Sequence, residues 1–320
     1  MLGPLISSVA AAAPSCRRVI DSHLHIWSDG TAPFPWAVPP PPLLEKTATA
    51  EAMLEGARAA GVTGALIVQP ANHKFDHTYV SSALKAHPGF FRGMALANPT
   101  LPPDEAVLEL ERLRADGFVA VRFNAGLFPG GMDSAVGRAL FRRAGELGMP
   151  VGVMAFGGIE PHVGAIRALC AESPGTPLIL DHFGFFRQPA TGGLLGDSAS
   201  NDEGAWAALL ALASLPSAHV KVSAAFRASA EPPPHLDLQR RVAELVAAFG
   251  AERLLFGTDF PFCTLGGNGP EPSAAAQTYE QAVRHPEFWE VEGLTEAGRD
   301  LVLGGTAARL FGFPDVIPDA

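Results

Sequence analysis

The sequence predicts a (β/α)8 barrel built as one domain. Short apolar runs rich in Ile, Val and Leu recur eight times along 320 residues, with helix-like segments between them. Such runs, nearly free of charge, suit parallel strands covered by helices. The long loops follow the first, sixth and eighth runs at their C-terminal ends, where a barrel of this kind builds its site. A doubly wound open sheet is the runner-up, and the G-x-G-x-x-G that would favour it does not follow the first run.

The strands are expected at Val19–Ile26, Ala65–Gln69, Gly93–Ala97, Val119–Phe123, Val151–Ala155, Leu178–Asp181, Val220–Ser223 and Leu254–Gly257. Helices are expected at Ala50–Ala60, Thr78–Ala86, Glu105–Ala115, Ser134–Leu147, His162–Ala171, Asp202–Leu215 and Leu238–Phe249, and after the last strand at Ala274–Val283 and Glu296–Leu310. Ala50–Ala60 is rich in good helix formers and is followed by Gly61, a C-terminal stop. Asp133 is expected to cap the helix opening at Ser134, with Gly148 ending it. Residues 1–18 read as an N-terminal extension, 19–313 as the domain and 314–320 as a tail.

Composition excludes several classes. Against 23 Lys and Arg stand 33 Asp and Glu, a formal charge of −10 with no basic stripe, so nucleic acid is not an expected partner. Cys16, Cys170 and Cys263 are too few and too scattered for a disulfide framework or a zinc pair, which fits a reducing, cytoplasmic setting. No apolar run is long enough to span a membrane. The N-terminal stretch has its first arginine, Arg17, after the apolar part, the reverse of a secretory signal; an organelle transit remnant is the alternative. The glycines of Phe183–Ser200 and Pro261–Pro272 read as loop flexibility, since no GK[ST] follows.

The chemistry gathers at strand ends. By strand alternation Val19, Asp21, His23 and His25 share one face of the first strand, and the mostly apolar Ile20, Ser22, Leu24 and Ile26 share the other. The first set should point into the barrel, with both histidines at its mouth. His182 follows the sixth strand and Asp259 the eighth. Asp259 stands among Phe256, Phe260 and Phe262, and partial desolvation should raise its pKa toward general-base use. Arg122 ends strand four and Arg227 follows strand seven, and both suit two-point binding of a carboxylate; the structural alternative is an ion pair, for example with Asp21. Lys221 and Trp27 read equally as pocket lining or packing. His73 and His77 read as solvated loop residues, and Cys263 has no base aimed at it.

These motifs taken together resemble the amidohydrolase superfamily: H-x-H on strand one, the DH-x-G of strand six and the G-T-D of strand eight. More narrowly, the chain is similar to the amidohydrolase-2 branch, which holds pyrone dicarboxylate lactonases, sugar lactonases and related decarboxylases. HIWSDG, VQP, AVRFN, HVKVSAAFR and LVLGGTAARLFGF carry that likeness, from about Ile20 to Phe313. The resemblance implies a distorted barrel with hydrolysis or decarboxylation at its mouth. Metal-using members carry a further histidine on strand five, where this chain has Met154 and Phe156. The pyrone lactonases keep the four-residue pattern and work without metal. They also use a second arginine after strand four, where this chain reads NAGLFPGG.

The resulting expectation is a hydrolase opening a small, carboxylate-bearing lactone. Asp259 is the base, His23, His25 and His182 polarise the carbonyl, and Arg122 and Arg227 hold the carboxylate. No cofactor is favoured; in the alternative, one zinc or manganese ion sits on His23, His25 and Asp259 in a decarboxylase or amide hydrolase. A non-catalytic binding barrel is the remaining alternative.

Overall fold

The computed structural model of this chain describes residues 17–188 and 200–314. Residues 1–16 of the expected extension, with Cys16, most of the glycine-rich loop and the tail from 315 lie outside the described residues.

Eight parallel strands form one sheet in the order β1 (Ile20–Leu24), β2 (Gly64–Val68), β3 (Phe91–Leu96), β4 (Phe118–Asn124), β5 (Val151–Met154), β6 (Leu178–Leu180), β9 (Ala218–Ser223) and β10 (Leu254–Gly257). The short strands β7 (Arg187–Gln188) and β8 (Ser200–Asn201) pair antiparallel as a second sheet. The barrel closes just beyond the last strand: Asp259 N donates to His23 O at 2.8 Å, and His25 N donates to Phe260 O at 2.7 Å. Eight parallel strands with helices between them, returning to the first, make the (β/α)8 barrel and exclude the open sheet.

The helices are α1 (Ala50–Ala60), α2 (Thr78–Ala86), α3 (Pro103–Ala115), α4 (Ala135–Glu146), α5 (Val163–Glu172), α6 (Glu203–Ala211), α7 (Ala225–Ala228), α8 (Leu238–Phe249), α9 (Tyr279–Arg284), α10 (Glu296–Asp300) and α11 (Thr306–Phe311). Thr49 caps α1 by accepting from Ala52 N, and Gly61 ends it at φ 72°, a conformation that costs glycine little. Asp133 does not cap α4: Ser134 holds the cap position without a side-chain bond, and Asp133 pairs with Arg138 instead. Helix α9 starts later than expected because Thr278 and Gln281 close a reciprocal capping box there. The expected helix Glu296–Leu310 is broken into α10, a π turn over Leu301–Gly305, and α11. A Cβ on Gly304 would come within 2.6 Å of Arg18 O, so the missing side chain lets this segment lie against the chain entering β1.

Two apolar layers result. Ile20, Leu66, Met94, Ala120, Ile179 and Leu255 pack together inside the barrel, while the alternate strand residues pack outward against the helices. Above that inner layer, the inward positions become polar: Arg122, Asp181, Lys221 and Ser223.

Candidate active site

The first strand departs from simple alternation. Its register against β2 shifts between Asp21 and Leu24, a bulge that changes which residues face inward. Below the shift Ile20 belongs to the inner layer, reversing the expected assignment of Ile20 and Asp21. Asp21 turns to the closing seam, accepting from Thr258 Oγ1 at 2.6 Å, Thr258 N at 3.0 Å, His23 N at 3.1 Å and Tyr279 Oη at 3.1 Å. Burial pushes its pKa up to about 6 against these bonds. Above the shift His23 and His25 face the mouth, as expected.

The turns after β6, β9 and β10 carry the rest. His182 (φ 50°), Ala224 (φ 52°) and Asp259 (φ 61°) all sit in the left-handed region, which costs non-glycine residues about 1–3 kcal/mol and marks segments held in place by their surroundings. Asp259 Oδ1 lies 3.3 Å from His25 Nε2 and 3.9 Å from His23 Nε2, and Arg227 Nε donates to Oδ2 at 2.8 Å. The His182 ring stands 4.3 Å from that of His23, and its Nδ1 lies 2.8 Å from Ser223 Oγ. Arg122 Nε donates to Asp181 Oδ2 at 3.1 Å, so this arginine does form an ion pair, with Asp181 and not Asp21. Its terminal nitrogens donate to no described residue. His25, Arg122, His182, Arg227 and Asp259 line one pocket of about 250 Å³ with Met154, Phe156, Phe262 and Asn268, and the buried His23 lies beneath Asp259.

The electrostatics differ from expectation at Asp259. Burial alone pushes its pKa up, but Arg227, His182 and a hydrogen bond from His25 outweigh it and hold the carboxyl well below its ordinary value. The flanking phenylalanines desolvate; the guanidinium decides. Burial also lowers His182 to about 3 and, with Lys221 and His182 as neighbours, keeps His23 neutral.

Residues 20–313 match the model of the amidohydrolase family. The chain belongs to that family. This amidohydrolase is 31% identical over 156 residues to an L-fucono-1,5-lactonase of Burkholderia multivorans; the match spans 47% of this chain and 48%, about half the length, of that curated relative. Among solved structures it resembles a protein of Pseudomonas putida described as a 2-pyrone-4,6-dicarboxylic acid hydrolase, at 28% identity and TM-score 0.69 over 93% of this chain and 98% of the other. A Burkholderia multivorans amidohydrolase with bound zinc has the same fold, at 23% identity and TM-score 0.63 over 93% of this chain and all of that one.

Within this amidohydrolase, His23, His182 and Asp259 each offer a donor atom, all within 4.8 Å of one another. His182 thus takes the place that the sequence assigned to His25 in a metal set. Ligand distances of about 2.0–2.2 Å would bring such donors within about 4.4 Å of one another. Cations stand on the far side of two of these residues: Arg227 donates to Asp259 Oδ2, and Lys221 Nζ stands 3.0 Å from His23 Nδ1, while Asp259 Oδ1 and His23 Nε2 face each other at 3.9 Å. His23, His182 and Asp259 are therefore the candidate metal-holding set among the described residues.

Other side chains fall outside the site. Trp27 is fully buried and donates to Leu44 O. His73 and His77 are buried, not solvated, and His77 Nε2 accepts from Leu96 N. Cys263 is buried, with its thiol pushed well above the ordinary value. Three partners were missed or left open: Asp181, Lys221 and Ser223. A charge at an inward strand position, as in LILD and VKVS, is the signal that could have found the first two.

Proposed function

We propose that this amidohydrolase opens a small lactone bearing a carboxylate, without a metal ion. The observation that carries this reading is Asp259, ionised and flanked by three imidazoles, in a pocket that also holds two buried arginines. Named relatives that act on lactones support it.

Asp259 orients a water and takes its proton as the water oxygen bonds to the lactone carbonyl carbon. Arg227 beside it holds the carboxyl below its ordinary value and so favours the base form. His23 and His182 donate to the oxygen on which negative charge builds, in a site where burial makes such bonds worth more than in water, while His25 meets the Asp259 carboxylate. The ring C–O bond then breaks, and the proton returns from Asp259 to the leaving alkoxide. The free end of Arg122 holds the substrate carboxylate, and Phe156 and Phe262 flank the ring.

No step runs through a metal, because the guanidinium on Asp259 and the ammonium behind His23 oppose a further cation there. The test is hydrolysis of a lactone panel, neutral and carboxylate-bearing, followed by acid release. Asp259→Asn should abolish turnover while the protein stays folded, and prolonged chelation should leave most activity. Turnover lost on chelation and restored by zinc or manganese would overturn the metal-free reading.

A further inference from the structure

Lys221 is the buried charge that the hydrolytic scheme leaves unused. It lies on β9 with no exposed surface, its Nζ 3.0 Å from His23 Nδ1 and 3.3 Å from Asp181 Oδ1. Asp181 is held ionised: burial pushes its pKa up, but Lys221, His23 and Arg122 bring it well below the ordinary value. Burial lowers the Lys221 pKa from its ordinary value and Asp181 beside it opposes that shift, so the lysine faces the carboxylate as an ammonium. An ammonium has three protons to donate and no lone pair.

That fixes what His23 must offer. Nδ1 can meet the ammonium only through its lone pair, so the single proton of the neutral ring sits on Nε2. Asp181 Oδ1 is the competing partner for Nδ1, but it lies 3.5 Å away and makes no aligned hydrogen bond. His23 Nε2 is buried, has no partner among the described residues, and stands 3.9 Å from Asp259 Oδ1. His25 is set the other way. Its Nδ1 lies 2.8 Å from Val68 O and must donate to it, and its Nε2 stands 3.3 Å from Asp259 Oδ1.

We propose that Lys221 is a positioning residue that locks His23 in the Nε2–H form, making it an N–H donor to the substrate carbonyl oxygen and withdrawing it from any set of metal ligands. The first part of this role rests on the lactonase reading; the lock itself does not. It gives the two histidines of H-x-H different tasks. The first stabilises the oxyanion, and the second meets the carboxylate that carries the proton.

The lock is read directly in the unaltered protein by nitrogen-15 NMR of labelled histidine, with His23 assigned by its loss in His23→Gln. A protonated Nε2 and a bare Nδ1 at neutral pH are expected; a protonated Nδ1 overturns the proposal. In Lys221→Met the ring should lose that preference. The kcat should fall by roughly 10²–10³-fold, the cost of one oxyanion donor, with KM little changed. Zinc measured by calorimetry should bind at least about tenfold more tightly than to the unaltered protein, as second partners of ligating histidines move affinity by about 10–100-fold. Asp181→Asn/Lys221→Met keeps the charge balanced should the single variant not fold. If Lys221→Met turns over normally while Asp259→Asn is dead, the donor role falls and the lactonase reading stands. If Asp259→Asn is active, the lactonase reading falls, and the NMR result still judges the lock.

Discussion

Gly257, the last residue of β10, is where a single methyl group should separate site geometry from substrate binding. A Cβ there would lie 2.9 Å from both His23 N and His23 Cβ and 3.2 Å from Ser223 Cβ. Ordinary contact begins at 3.4 Å, so Gly257→Ala must push the backbone of His23 by about 0.5 Å, the difference of 3.4 and 2.9. The move cannot be absorbed by a flexible side chain, because His23 O is tied to Asp259 N. Overpacking of this kind costs about 1–3 kcal/mol, which lowers Tm by roughly 2–4 °C per kcal/mol in a chain of this size. A misplacement of about 1 Å costs about 10²-fold in rate, so about half that shift should cost roughly tenfold in kcat. KM for a carboxylate-bearing lactone should change little, since Arg122 and the pocket wall do not touch Gly257. Steady-state hydrolysis and calorimetric melting measure the two effects. A variant with unchanged kcat and a Tm within about 1 °C of the parent refutes the claim that this close approach positions His23.

Other perturbations test other parts of the site. Arg122→Met should weaken a carboxylate-bearing lactone by about 1.5–3 kcal/mol, the scale of a charged hydrogen bond, and neutral lactones less; equal losses would show that Arg122 serves only to hold Asp181. Acid should destabilise the fold through His285, buried beside His235 with rings 4.8 Å apart. Burial, then His235, lowers its pKa from 6.5 to about 3, so the unfolded chain binds the proton first. Its stabilisation is full above pH 6.5 and is lost as pH falls toward 3, at up to about 1.4 kcal/mol per pH unit. Asp21, raised to about 6, has the opposite sign: its contribution is full below its unfolded value of 3.8 and is lost as pH rises through 6. Urea titrations between pH 3 and 7 should show a flatter curve for His285→Gln than for the parent; parallel curves would remove His285 as the cause.

Much of this was legible in the chain. Local patterns placed α1, α2 and α8 to the residue, because helix formers, and after α1 and α8 a glycine, act within a few positions. The same patterns placed β10, and put His23, His25, His182 and Asp259 at strand ends, where a closed parallel barrel brings them together. Alternation failed on β1, since a bulge is a property of two paired strands and leaves no periodic mark on one of them. The break at Leu301–Gly305 likewise depends on the chain at Arg18 passing close by.

The sequence by itself determined the scaffold and the kind of atoms at its mouth: imidazoles, a carboxylate and guanidiniums, spaced one strand end apart. The tertiary structure decided their states. Asp259 was expected to be raised by its phenylalanine neighbours and is lowered by Arg227, 32 positions away. His23 is turned into a donor, on the present proposal, by Lys221, 198 positions away. Charge and hydrogen-bond direction depend on atoms within about 3–4 Å in space, and strand pairing, not nearness along the chain, sets which atoms those are.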